Sequence, residues 1–114
     1  MALHINRNAI PFAHQLIEAG ARARSTRWET TAPSLAQAER YRREQGDEAF
    51  ANWHLAYDTD PGEAARCQFP IGDFTRVHEN AVRAARRYGE LHNVPELVEA
   101  ADEILDLFDR MNAC

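Results

Sequence analysis

The sequence predicts an all-α, or nearly all-α, fold: one small helical domain over residues 1–114 with about five helices. Three observations carry this prediction. The length suits one domain, apolar residues recur at helical spacing in several segments, and capping residues stand before those segments. We expect residues 1–33 to form an N-terminal helix plus extended chain, and residues 34–114 to form the main helical core. The chain near Trp28 has β-branched residues and no helical period, so it allows one short β-hairpin.

The first third of the chain is predicted to contain one helix. Asn8 suits the N-cap of a helix over residues 9–19, because Pro11 is tolerated in a first turn and Gly20 can end it. Residues 21–33 lack any helical period, so we expect them to be extended, with Trp28 as their anchor.

Capping residues predict where the next helices begin and end. Ser34 and Gln37 form a capping box for a helix that begins near Leu35. Gly46 breaks or bends this helix, which can restart at Asp47 with the segment EAFANWHLAYD. The segment DPGEAAR at residues 60–66 predicts one or two further helical turns.

The last two segments predict an antiparallel helix hairpin. Residues 77–91 have apolar side chains at helical spacing, and Pro95 suits the first position of a final helix with one apolar stripe. The first of these helices is rich in Arg and the second in Asp and Glu. Opposite charges on adjacent helices therefore favour pairing across a turn at residues 92–94.

Charge and composition limit the partners that we expect. The net charge is −5, from 18 acidic and 13 basic residues, which weighs against a nucleic-acid partner. No targeting signal or membrane-length apolar run is visible, so we expect a cytoplasmic protein without a membrane partner. Cys67 and Cys114 do not form a disulfide framework, so we expect free thiols, and the sequence assigns Cys114 no role.

Four residues are candidate metal ligands, although their pattern is also that of ordinary structure. His54 and Asp58 are four apart on a predicted helix, with Cys67 and His78 downstream as further ligands. One His and one Asp at a helix end are more typical of a cap or an ion pair. Cys67 with His78 as base is a candidate nucleophile, but a Cys between apolar neighbours is usually a small buried hydrophobe. We therefore expect no metal, no cofactor and no catalytic set.

Two charged surfaces are candidate interaction sites. Arg83, Arg86 and Arg87 could hold a phosphate or a nucleic-acid backbone, but pairing with the acidic final helix is the simpler expectation. The acidic face of that helix could mimic a phosphate track and block a nucleic-acid enzyme. Its candidate residues are Glu99, Asp102 and Asp106.

One stretch resembles a known group of proteins. Residues 49–109 carry a W-x-L-x-x-D segment, an F-P-x-G-D loop, a Val-His pair, an Ala- and Arg-rich helix and a final A-A-x-x-I-L-x-x-F-D helix. This order resembles a small helical domain of tailed-phage and prophage proteins that occurs alone, or beside or fused to head-maturation protease genes. The chain departs from that pattern at Gln68, Glu79 and Asn80. The resemblance implies a phage or prophage origin and no particular activity.

The resemblance also implies a structural role for the loop CQFPIGDFTRVH at residues 67–78. Phe69 and Phe74 would anchor it to the core, as we expect for Trp53 before it. In such a domain Pro70 would stiffen the turn, and Gly72 would adopt a backbone conformation closed to other residues. Asp73 would cap the next helix.

From these features we expect a non-enzymatic, phage-derived protein-interaction module, acting on a protein partner or by self-association and linked to head assembly. The alternatives are a small acidic inhibitor of a host defence or nucleic-acid enzyme, and a nucleic-acid binder that uses the three arginines.

Overall fold

The computed structural model describes residues 2–24, 26–59 and 66–111, and it is a mixed α/β fold. The prediction of an all-α fold is wrong, because a three-stranded antiparallel sheet and a two-stranded parallel ladder lie among the helices. The elements in chain order are β1 (Ala2–Ile5), α1 (Ala9–Glu18), β2 (Arg22–Ala23), α2 (Trp28–Thr31), α3 (Leu35–Gln45), α4 (Asp47–Asn52), β3 (His54–Thr59), β4 (Arg66–Pro70), β5 (Val77–His78), α5 (Glu79–Leu91) and α6 (Pro95–Met111).

Strand β3 is the centre of the sheet and lies where the sequence predicts a helix. It pairs antiparallel with β1 on one edge, Ile5 opposite Ala56, and with β4 on the other, Tyr57 opposite Cys67. Helix α4 before it ends at Asn52, and the amide of the next residue, Trp53, donates to the Phe50 carbonyl. Because two distant strands supply the hydrogen bonds of β3, the local helical spacing of its side chains does not decide its conformation.

The expected β-hairpin near Trp28 is also wrong. Among the described residues, Trp28 begins the short helix α2, and the extended chain before it pairs in parallel with β5. Arg22 lies opposite Val77 and Ala23 lies opposite His78. Val77 and His78, expected in a helix, are therefore strand residues.

The capping signals around α3 are confirmed. The Ser34 hydroxyl accepts from the Gln37 amide at 3.1 Å, and the Gln37 side chain accepts from the Ser34 amide at 2.8 Å. Gly46 has φ 93°, in the left-handed region that favours glycine, so it breaks the helix and separates α3 from α4. The helical turns expected at residues 60–65 lie outside the described residues, and Arg66 is a strand residue.

The core surrounds α6, which packs against α5 and α1. One face of α6 is buried, and its residues are Leu97, Ala100, Ala101, Ile104, Leu105, Leu107 and Phe108. The turn at residues 92–94 sends α6 back along α5, so the two helices are antiparallel. Gly89 permits their close approach, since a Cβ there would lie 2.8 Å from the Val98 side chain.

The segment at residues 67–78, expected to be a loop, includes most of β4 and all of β5, and ring contacts hold it against the rest of the fold. Phe74 stacks on Tyr41 with ring centroids 4.4 Å apart, and Phe69 contacts Tyr88 at 4.8 Å. Both phenylalanines have positive φ, 61° at Phe69 and 68° at Phe74, which is unfavourable for bulky residues. The ring contacts stabilise these conformations.

Two expectations for the same loop need correction. Gly72 does not have positive φ; glycine is required because a Cβ would collide with the Arg76 carbonyl and lie 2.6 Å from the Trp53 ring. Asp73 does not cap α5. Its Oδ1 accepts from the amides of Thr75 and Arg76, at 3.0 Å and 2.8 Å, and so closes the turn before β5. Pro70 ends β4 opposite His54.

Candidate anion-binding groove

A groove of about 510 Å³ runs between α5 and the chain segment at residues 26–29. We call it the arginine groove because three of its side chains are arginines. Its lining residues are Thr26, Arg27, Trp28, Glu29, Asn80, Arg83, Ala84 and Arg87. Three guanidinium groups against the single carboxylate of Glu29 give this groove a positive charge on a protein whose net charge is negative.

Helix α5 supplies one wall because of its sequence period. Asn80, Arg83 and Arg87 are three and four residues apart, so they lie along one face, with small Ala84 between them. The opposite face buries Ala81, Val82, Ala85 and Gly89 against the core. The core packing of α5 therefore fixes the direction of the groove arginines.

The other wall is held by polar contacts rather than by secondary structure. The Asn80 side-chain amide donates to the Thr26 carbonyl, which joins the two walls. Thr26 Oγ1 lies 2.9 Å from His78 Nδ1, and the Trp28 ring lies against the His78 ring at 5.3 Å. The completely buried side chain of His78 thus supports this wall from the interior of the protein.

Asp73 supports His78 in turn. Its Oδ2 lies 2.9 Å from His78 Nε2, a close contact whose geometry is not that of a well-aligned hydrogen bond. Partial burial raises the pKa of Asp73, but hydrogen bonds from the Arg76 and Thr75 amides and the contact with His78 outweigh it. The pKa of Asp73 is therefore below its ordinary value, and the carboxylate is ionised at neutral pH.

The groove arginines are only partly neutralised. Arg83 lies 3.4 Å from Glu79 Oε1, but Glu79 is held more closely by Arg24 at 2.6 Å. No ion pair joins Arg27 or Arg87 to an acid within the described part of the chain. An anion in the groove would meet these two guanidinium groups without displacing a carboxylate.

Arg86, expected with Arg83 and Arg87, lies outside the groove. Its Nε donates to Asp102 on α6 at 2.5 Å, and it also pairs with Glu90. Hydrogen bonding to Asp102 and the charge of that carboxylate raise the pKa of Arg86. The structure thus brings two of the three predicted arginines together and neutralises the third.

The four candidate metal ligands are not brought together. His54 and Asp58 lie on β3, Cys67 lies on β4, and His78 lies in the other ladder. No group of three or more His, Cys, Asp or Glu side chains within residues 2–24, 26–59 and 66–111 is arranged to hold a metal ion.

Each of these residues has a local environment of its own. His54 Nδ1 contacts the Phe50 carbonyl at 2.9 Å, and burial lowers the pKa of its ring. Burial raises the pKa of the Cys67 thiol, which disfavours the thiolate that a nucleophile needs. Asp58 accepts from the Gln68 side chain at 3.2 Å. Cys114 lies outside the described residues.

The acidic face of α6 is exposed. Of the three predicted residues, Glu99 and Asp106 are exposed, whereas Asp102 is paired with Arg86. A longer series, which we call the acidic stripe, follows the helical period: Glu96, Glu99, Glu103 and Asp106. None of these carboxylates forms an ion pair with another described residue.

Sequence reasoning missed Thr26, Arg27 and Asn80 as groove residues. The spacing of Asn80 with Arg83 and Arg87 is visible in the sequence and could have indicated Asn80 as a groove residue. The wall at Thr26 and Arg27 could not have been found, because it reaches α5 through long-range contacts of Thr26 with His78 and Asn80.

No protein-family model, curated protein or solved structure matches this chain. The resemblance to the phage domain stays a prediction from the sequence. Within the residues that the structure describes, no helix combines the length and apolar character that crossing a bilayer requires.

Proposed function

We propose that this chain is a non-enzymatic binding module that takes an acidic segment of a protein partner in its arginine groove. The observation behind the proposal is that the groove arginines are not fully paired with acids. Arg27 and Arg87 have no acidic partner among the described residues. Arg83 has only Glu79, which it shares with Arg24. Arginine presents a planar fork of donors that suits carboxylates. The groove therefore has the chemistry to hold two or three side-chain carboxylates.

The spacing of the wall fits an acidic peptide. Arg83 and Arg87 are four residues apart on α5, a rise of about 6 Å along the helix. Alternate residues of an extended peptide are separated by about 6.6 Å and point to the same side. Two acidic residues at alternate positions of a bound strand would each meet one of these arginines.

The contacts around Thr26 support binding rather than catalysis. Asp73, His78 and Thr26 follow the order of carboxylate, imidazole and hydroxyl found in hydrolases. Here the imidazole has no exposed surface, and the Asn80 amide, a possible oxyanion donor, already donates to the Thr26 carbonyl. The three residues are best explained as a brace for the groove wall.

The resemblance to phage domains gives the proposal its setting. In that setting the module acts in the cytoplasm of a bacterial host or phage-infected cell, on a partner that takes part in head assembly.

The test is a titration with defined probes. The fluorescence anisotropy of a fluorescein-labelled hexaglutamate peptide should increase when the protein is added, whereas that of a hexaglutamine peptide should not. Hexaglutamate binding should weaken as the salt concentration rises. Replacing both groove arginines, R83Q/R87Q, should weaken hexaglutamate binding about tenfold, because two charge-assisted contacts are lost. The control R43Q/R76Q removes the same charge from exposed arginines outside the groove and should leave binding within about twofold.

A different result would contradict the proposal. Hexaglutamate binding that is absent, or equally weakened by both double variants, would exclude the groove as the site. Stronger, groove-dependent binding of a single-stranded oligothymidylate would favour the nucleic-acid alternative, which the exposed part of Trp28 beside Arg27 makes worth testing.

The acidic stripe supports a second candidate function, inhibition of a nucleic-acid enzyme. Its four exposed carboxylates are free of ion pairs with described residues, as a phosphate mimic requires. Replacing Glu99, Glu103 and Asp106 by their amides should then abolish inhibition of the target enzyme while the thermal midpoint stays within a few degrees.

A further inference from the structure

The chain carries two surfaces of opposite charge that do not meet within one molecule. The arginine groove lies on one side of α5, and the acidic stripe lies along the exposed face of α6. Between them, Arg86 pairs with Asp102 and Glu90. No ion pair joins the stripe to Arg83 or Arg87 among the described residues. Each surface is therefore available to a partner.

The two surfaces have the same spacing. Arg83 and Arg87 are four residues apart on α5, and Glu99 and Glu103 are four residues apart on α6. Both pairs therefore repeat at a rise of about 6 Å along a helix. An α6 laid along the groove of another molecule would bring both carboxylates opposite both guanidinium groups.

Each surface also has an apolar neighbour. Trp28 lies in the wall of the groove, half-buried beside Arg27. A hollow of about 570 Å³ next to the stripe is lined by Gly89, Pro95 and Val98 beside Glu99. Stable interfaces combine charge complementarity with an apolar contact area, and both surfaces offer the two components.

We propose that the occupant of the arginine groove is the acidic stripe of a second copy of this chain. This inference rests on the proposed function, because it names the acidic segment that the groove takes. The groove and the stripe are different surfaces, so the contact is heterologous: each copy uses its groove toward one neighbour and its stripe toward the next. Such a contact produces an open chain of molecules or a closed ring.

Exposed ion pairs are individually weak, and two copies of net charge −5 repel each other at a distance. The association should therefore be weak, concentration-dependent and sensitive to salt. We expect the mean mass to rise above the 13.0 kDa of a monomer as the concentration increases from about 10 to 500 µM, and to fall back in about 0.5 M sodium chloride.

Neutral substitutions on each surface give the sharpest test. The groove variant R83Q/R87Q retains its stripe, and the stripe variant E99Q/E103Q retains its groove. Each alone should remain a monomer by light scattering at a concentration where the wild-type protein assembles. A one-to-one mixture should form a heterodimer and grow no further, because only one intact groove and one intact stripe are present in each pair.

Matched controls remove the same charges elsewhere. R43Q/R76Q and E39Q/E44Q change exposed residues outside both surfaces and should assemble like the wild-type protein. A circular dichroism melt of each variant confirms that it is folded.

Three outcomes would overturn the inference: a monomeric mass at every concentration, assembly that neither variant reduces, or a mixture that forms no heterodimer. The hexaglutamate titration separates this failure from that of the proposed function. If hexaglutamate binds in the groove while the protein stays monomeric, the groove takes an acidic segment of another protein. If hexaglutamate does not bind either, both proposals fail.

Discussion

The two sides of α5 differ sharply although their residues are adjacent in sequence. Arg86 faces α6, where Asp102 and Glu90 neutralise it. Arg87, one residue later and about 100° around the helix, lies in the arginine groove without an acidic partner among the described residues. A helix thus divides a run of like charges in the sequence into groups with different roles. One arginine stabilises the hairpin, and its neighbour is free to bind.

The two sides of α5 also differ in what packs against them. The α6 side is formed by a helix with continuous apolar packing, whereas the groove side is closed by a segment held through Thr26, His78 and Asp73. The groove should therefore be lost more easily than the hairpin.

The largest expected effect comes from removing the support of the groove wall. H78A deletes a fully buried ring together with its contacts to Thr26 and Trp28, so we expect a loss of about 3 kcal/mol in the free energy of unfolding. For a domain of this size the thermal midpoint falls by roughly 10–20 °C. Measured below the new midpoint, hexaglutamate binding should also be lost.

H78F separates the two contributions, since it keeps a ring but not the polar contacts. It should recover part of the stability without recovering the binding. Binding that survives in H78A would show that the groove wall does not depend on His78.

A second change fills the groove without touching its charges. Ala84 is an exposed residue of the α5 wall, and leucine has a good helix propensity, so A84L should change the free energy of unfolding by less than about 0.5 kcal/mol. Its larger side chain would occupy the space between the arginines, and hexaglutamate binding should fall about tenfold.

The control for this variant is A36L, the same substitution at an exposed position on α3. If A84L binds hexaglutamate like A36L, the carboxylates do not enter the groove.

A smaller effect, dependent on pH, should follow from Asp73. Its pKa is lower in the folded protein than the ordinary value of 3.8, so its contribution to stability is present above that value. The contribution disappears as the pH falls through the folded pKa. D73N should therefore be less stable than the wild-type protein at pH 7, by a few degrees in midpoint, and the difference should narrow below about pH 4.

Thermal melts of both proteins, followed by circular dichroism at neutral and acid pH, would measure this difference. A gap between the two proteins that is unchanged from neutral to acid pH would mean that the charge of Asp73 does not stabilise the turn or His78.

Local signals predicted those parts of the fold that local contacts determine. The capping box of Ser34 and Gln37, the break at Gly46 and the start of α6 at Pro95 depend on residues within one helical turn. The strands could not be predicted in the same way. Residues 54–58 have helical spacing but little β-branched character, and they become strand because β1 and β4 bond to both edges.

In the candidate site, too, local spacing predicted one wall and could not predict the other. The face of Arg83 and Arg87 follows from the helical period of α5, and so does the separation of Arg86 from them. The second wall does not, since Thr26 and Arg27 reach α5 through His78, more than 50 residues later. The candidate metal ligands His54 and Asp58 lie four residues apart along the extended strand β3, and not on one face of a helix as their spacing suggested.

The most direct test of the groove as the binding site compares two single substitutions that remove the same charge from neighbouring residues. Hexaglutamate binding should be measured by anisotropy at low salt for R87Q and R86Q. We expect R87Q to weaken binding about threefold, because a groove contact is lost, whereas R86Q should leave the affinity nearly unchanged. Equal losses in both variants would show that the peptide responds to the overall charge of the protein, and the assignment of the groove would be wrong.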